Sequence, residues 1–118
     1  MGVKTETRRP GDFLLSEANG TLSRDNAVIA LGTHMPGTVL GQLTATGKYV
    51  ALTPGASDGS QTAAALLYGH ADGTDIPAVV VKRLAEVRAD MLVWPAGITE
   101  PNKTAALAAL AGAHVVAR

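Results

Sequence analysis

At 118 residues and without a cysteine, the chain has room for one domain and excludes a disulfide framework or a cysteine-based metal site. Ten basic and ten acidic residues, scattered singly, sum to zero formal charge, so no field draws the protein onto nucleic acid or an acidic membrane. No stretch approaches the length that spans a bilayer, and no apolar run of signal-peptide length follows Arg8-Arg9.

From Met1 to Gly37 chain breakers recur every few residues: Pro10-Gly11, Asn19-Gly20, Gly32 and Pro36-Gly37. Only Phe13-Leu14-Leu15 and Ala27-Val28-Ile29-Ala30-Leu31 interrupt them with apolar side chains. Two such patches are too little for a separate core, and extended segments of this kind become ordered on a partner. The pattern predicts an extended arm over residues 1–37 ahead of a domain over 38–118.

After Gly37 come short runs rich in Val, Leu, Thr and Tyr, each closed by a glycine-containing turn, as strands are. Thr38 to Thr46 and Tyr49 to Thr53 form a hairpin across Thr46-Gly47-Lys48, with positive φ expected at Gly47 and close packing at Gly41. Pro54 to Ser60 is a loop by composition, and Thr62 to His70 a further strand ending in a turn at Ala71 to Asp75. Ala78 to Met91 is the longest strand candidate: Val81, Arg83, Ala85, Val87 and Ala89 share one parity, and most charge falls on the other. A single helix follows, with Thr99 as N-cap, Glu100 and Pro101 in its first turn and Gly112 at its end; Val115 to Ala117 closes as a strand. The fold class is α+β: a small mostly-β domain with one C-terminal helix, preceded by the extended N-terminal arm. A core of about eighty residues is small enough that self-association is expected to add to its stability.

Three motifs touch on chemistry. Gly55-Ala56-Ser57-Asp58-Gly59 matches the G-x-S-x-G elbow of hydrolases, but Pro54 precedes it and no strand–turn–helix surrounds it, so a serine hydrolase at Ser57 is only a remote alternative. Gly41 to Lys48 has one residue too many between its glycines for a phosphate-binding loop, and Tyr49 stands where a magnesium-binding hydroxyl belongs. His34, His70 and His114 share no ligand spacing. No catalytic residue, cofactor or metal is assigned. Trp94-Pro95 is either the largest core filler or an anchor docked into a partner.

Gly37 to Pro54 (G-T-V-L-G-Q-L-T-A-T-G-K-Y-V-A-L-T-P), Asp58 to Leu67, Val79 to Val87 and Met91 to Pro95 (M-L-V-W-P) together resemble the head decoration protein family of lambda-like tailed bacteriophages. Ser16 to Asp25 (S-E-A-N-G-T-L-S-R-D) is similar to the arm of its members, whereas Met1 to Leu15 carries no family pattern. The resemblance implies a non-enzymatic homotrimer on the outer surface of the virion, made in the host cytoplasm. Seated at local three-fold axes of the expanded head, it bridges subunits of the major capsid protein and resists the pressure of packaged DNA. It implies too that the arm, loose in the free protein, becomes ordered on the capsid. The residues expected to bind there are Phe13, Leu14, Leu15, Ser23, Arg24, Val28, Ile29 and Leu31, with Trp94 and Pro95 near a trimer or capsid contact. An extended Val28 to Leu31 adds a strand to a sheet edge of the capsid protein, and three tethered arms raise one another's effective concentration to about the millimolar range. The alternative is another virion surface module, such as a head-fibre base or receptor-binding protein.

Overall fold

The hairpin expected on either side of Thr46-Gly47-Lys48 is present in the computed structural model, which describes residues 10–18 and 20–118. The part of the expected arm that falls on residues 1–9 lies outside the described residues. Strand β3 (Val39–Gln42) runs antiparallel to β4 (Tyr49–Ala51), with Leu40 opposite Ala51 and Gln42 opposite Tyr49. Gly47 closes the turn at φ +75°, its N–H donating to the Leu43 carbonyl at 2.8 Å. Gly41 is held for the other expected reason, since a Cβ there would stand 2.6 Å from the backbone of Ser60.

β5 (Ala63–Leu67) pairs with the other edge of β3, so the strand expected within Thr62 to His70 is also found. The next two elements differ from expectation. β6 (Ala71–Val81) begins inside the segment read as a turn, and it pairs along its length with β2 (Arg24–His34), from Arg24 opposite Val81 to His34 opposite Ala71. The turn chemistry of Asp72-Gly73-Thr74-Asp75 bends the strand instead of ending it. Gly73 (φ +123°) faces Gly32 (φ +108°) on β2, so both members of the ribbon curve at one place. β2 also touches β4 through the parallel pair Ile29 and Tyr49, which closes a barrel in the order β2-β4-β3-β5-β6.

The long strand expected over Ala78 to Met91 is divided. β6 ends at Val81, Lys82 and Arg83 turn their N–H groups to the Ser23 carbonyl, Leu84 takes φ +55°, and β7 (Ala85–Val87) starts in a different sheet. Parity survives because Val81, Ala85 and Val87 bury into one cluster, although Arg83 does not and Ala89–Met91 is a 3-10 turn. The second sheet has the order β1-β7-β8, with β1 (Leu14–Glu17) antiparallel and β8 (Val115–Ala117) parallel to β7. Between β1 and β2 lies one helical turn, α1 (Gly20–Ser23).

The helix α2 (Glu100–Gly112) starts and ends where expected. Thr99 takes the extended N-cap conformation without a side-chain bond, and the left-handed residue beyond the C-terminus is His114 (φ +62°). Ala106 and Leu110, four residues apart, are its buried positions, and Leu107 packs partly buried beside them. Two cores result. Ile29, Leu40, Tyr49, Leu67 and Val80 are among those filling the barrel; Phe13, Val39, Leu66, Val87, Leu110 and Val115 are among those joining its outer wall to α2 and the second sheet. Each such side chain contributes about 1.5–3 kcal/mol by leaving water.

Candidate interaction surfaces

Each residue assigned above to partner binding has a definite place. Phe13 is fully buried in the core between the barrel and the second sheet, and Leu14 packs partly buried against that core. Ile29 is equally enclosed inside the barrel. Ser23 is buried, donates its hydroxyl to the Leu84 carbonyl at 3.1 Å, and accepts from the Lys82 N–H at 2.9 Å through its own carbonyl. Arg24 is turned inward against its neighbours. Glu17 takes both arms of its guanidinium, with Nε at 3.1 Å, and Cζ lies 3.9 Å over the Tyr68 ring. In the described structure these residues hold the body together. Residues 10–37, expected in an arm, supply one strand of the barrel and one of the second sheet. The local breakers concealed this, because the partner of β2 lies about fifty residues away in sequence.

Leu15, Val28 and Leu31 remain exposed, Leu15 at 52% and Leu31 at 63%. Leu31 shares the parity of Ile29, but β2 and β4 are paired only at Ile29 and Tyr49. Beside that pair lies a groove of about 470 Å³ lined by Leu31, Leu43, Val50, Ala51 and Ala56, with His34, Asp58 and Ser60 as polar members. Those three do not form a catalytic relay. The His34 Nε2 lies 3.0 Å from the Leu31 carbonyl, and Asp58 accepts from the hydroxyl and N–H of Ser60, which hold its carboxyl below the ordinary range. Ser57 is exposed in the loop before β5, and the next α-helix begins only at Glu100, so the strand–turn–helix of a nucleophile elbow is not built around it.

A second concavity, about 400 Å³, covers the outer side of β1-β7-β8 and is lined by Ser16, Leu84, Glu86, His114, Val116 and Arg118 among others. Leu84 and Val116 are exposed apolar members, and Arg118 pairs with Glu86 at 3.1 Å. The surface residues that sequence reasoning missed are Leu22, Met35, Leu84 and Val116. Nothing local singles out Leu84, whose exposure follows from the left-handed turn between β6 and β7.

Trp94 is partly buried against the second core, and the Lys103 ammonium lies 5.9 Å from its ring centre. Pro95 is partly buried and accepts at its carbonyl from the Ile98 N–H at 3.2 Å. Among the described residues no three His, Asp or Glu side chains gather as metal ligands, and no helix is long and apolar enough to cross a membrane. In comparison with known proteins, the family model described as bacteriophage lambda head decoration protein D matches residues 3–115. No curated protein matches the chain.

Proposed function

The chain belongs to the bacteriophage lambda head decoration protein D family, and from that premise we propose that it is a trimeric cement of the expanded phage head. As a family member it is a structural protein of the virion, on the exterior of the capsid. The family match over nearly the whole chain is the observation that carries the proposal. Three copies sit at local three-fold sites, bridge major capsid protein subunits, and oppose the outward pressure of packaged DNA.

The exposed members of the expected set, Leu15, Val28 and Leu31, are the contact residues in this proposal, together with the segment before Pro10. The buried ones, Phe13, Ser23 and Ile29, act by keeping the body folded. This division decides which truncation tests the arm. Removing residues 1–37 would delete β1 and β2 and open the barrel, so the informative deletion is residues 1–9. The deleted protein is expected to keep its fold and its trimer while losing most of its occupancy on heads. Incubating the full chain with expanded and unexpanded heads, followed by imaging, should show binding to the expanded form alone. Equal binding to both forms, or none to either, would overturn the proposal, as would a monomer in sedimentation at the concentrations that decorate.

A further inference from the structure

Among the described residues three that are not glycine take positive φ: Asp75 (+51°), Leu84 (+55°) and His114 (+62°). Asp and His are among the side chains that tolerate this region, but in a bulky apolar residue it is strained. Burial does not compensate Leu84, whose side chain stands 39% exposed. The flanking sequence favours the opposite conformation, since Val81, Arg83, Ala85 and Val87 alternate as one unbroken strand would. The strain comes from the joint between two ladders. Arg24 pairs with Val81 in the barrel and Glu17 with Ala85 in the second sheet, so six residues (18–23) intervene on one strand and three (82–84) on the other. The helical turn α1 takes up the excess, and its last residue grips the shorter side. Ser23, fully buried, accepts at its carbonyl from the N–H groups of Lys82 (2.9 Å) and Arg83 (3.4 Å), and donates its hydroxyl to the Leu84 carbonyl at 3.1 Å. That Leu84 carbonyl also accepts from the Ala18 N–H at 3.0 Å, and the Arg83 guanidinium donates to the Leu22 carbonyl at 2.8 Å.

We propose that Leu84 is a sprung joint latched by Ser23. Released, its backbone returns to the extended region, β6 runs straight on into β7, and β7 lifts from β1 and β8 while β2 stays paired with β6. The closed state carries the strain and this minor open state does not, so the residue at position 84 sets the balance between them. Left-handed backbone costs a leucine about tenfold in population against a glycine, which takes either sign of φ freely. The second sheet therefore opens more readily than the barrel, and it does so at a point the sequence pattern is already poised to straighten. No partner enters this proposal, which stands apart from capsid binding.

Native-state hydrogen exchange on the full chain tests the joint. The amides of Ala18, Arg88 and Arg118 report its opening, because they bond to the carbonyls of Leu84, Phe13 and Val87; those of Val39 and Leu67 report the barrel. In the unaltered protein the three reporters should exchange at least about tenfold faster than the two barrel amides. Leu84→Gly should slow the reporters about tenfold, and Leu84→Val, whose branched side chain tolerates the left-handed region least, should speed them at least about threefold. Ser23→Ala should speed them about fivefold, and adding Leu84→Gly to it should bring them back to within about twofold of the unaltered protein. If Leu84→Gly unfolds the body, Leu84→Asn takes its place, with slowing of about threefold expected because Asn is tolerated there. Were the side chain of Leu84 held by packing instead, its removal in Leu84→Gly or Leu84→Asn would speed the reporters, and that sign overturns the joint. Reporters that exchange no faster than the barrel amides would overturn it too, and indifference to Ser23→Ala would overturn the latch.

Discussion

Phe13→Ala separates a residue that holds the body from one that waits for a partner. The ring is fully buried in the core shared by the barrel wall, α2 and the second sheet, with Leu66, Val87 and Leu110 in the same cluster. Truncating a buried Phe to Ala removes its transfer free energy and leaves a cavity, together about 3–5 kcal/mol. A domain of this size has roughly 5–15 kcal/mol in total. Taking about 4 °C per kcal/mol, the thermal midpoint should fall by about 12–20 °C. Circular dichroism melts and urea titrations at one protein concentration measure this directly, the fixed concentration guarding against a shift caused by self-association. If Phe13 were instead a free anchor for the capsid, the substitution would change stability by no more than about 0.5 kcal/mol, as exposed positions do. A midpoint shift below about 3 °C would refute its placement in the core.

Gly41→Ala should destabilise by about 1–3 kcal/mol, measured by the same melts, because its Cβ meets the backbone of Ser60 at 2.6 Å and the neighbour cannot rotate away. Leu31→Ser should leave stability within about 0.5 kcal/mol, since the side chain is mostly in water, yet reduce occupancy on expanded heads in a pelleting assay. The Arg83 guanidinium, bonded to Asp25 at 2.8 and 3.1 Å, holds the Asp25 carboxyl below its ordinary value. A depressed carboxyl contributes stability above its unfolded pKa of about 3.9 and loses it as pH falls through the lower folded value. Asp25→Asn should therefore cost under about 1 kcal/mol at pH 7, the pair being partly exposed, and the difference from the unaltered protein should vanish in acid. Urea titrations at pH 7 and near pH 3 check the sign.

The elements legible in the sequence are those whose signals lie within a few residues of one another. The β3–β4 hairpin is announced by Gly47, the ends of α2 by Thr99, Pro101 and Gly112, and β8 by Val115-Val116-Ala117. The two long strands of the barrel were hidden because they stabilise each other across a wide separation. Alone, β2 is a small apolar patch among breakers and the start of β6 a turn; paired, each satisfies the other's backbone. Alternation from Val81 to Val87 identified the buried face correctly but could not show that the pairing partner changes at Leu84. For the candidate surface, apolarity alone does not distinguish Phe13 and Ile29 from Leu15 and Leu31. Only the register and the packing divide them into plugs and exposed contacts. Trp94 keeps something of both readings, partly buried on the core with a lysine near its ring.

Whether this folded body decorates the capsid exterior is decided by an electron cryo-microscopy reconstruction of expanded heads saturated with the full chain. Three-fold density is expected outside the shell, with β2 still paired to β6, Phe13 inside the body and Leu31 on its surface. Bare heads at saturating protein, or bound chains in which residues 24–34 have left the barrel to pair with the capsid protein, would contradict it.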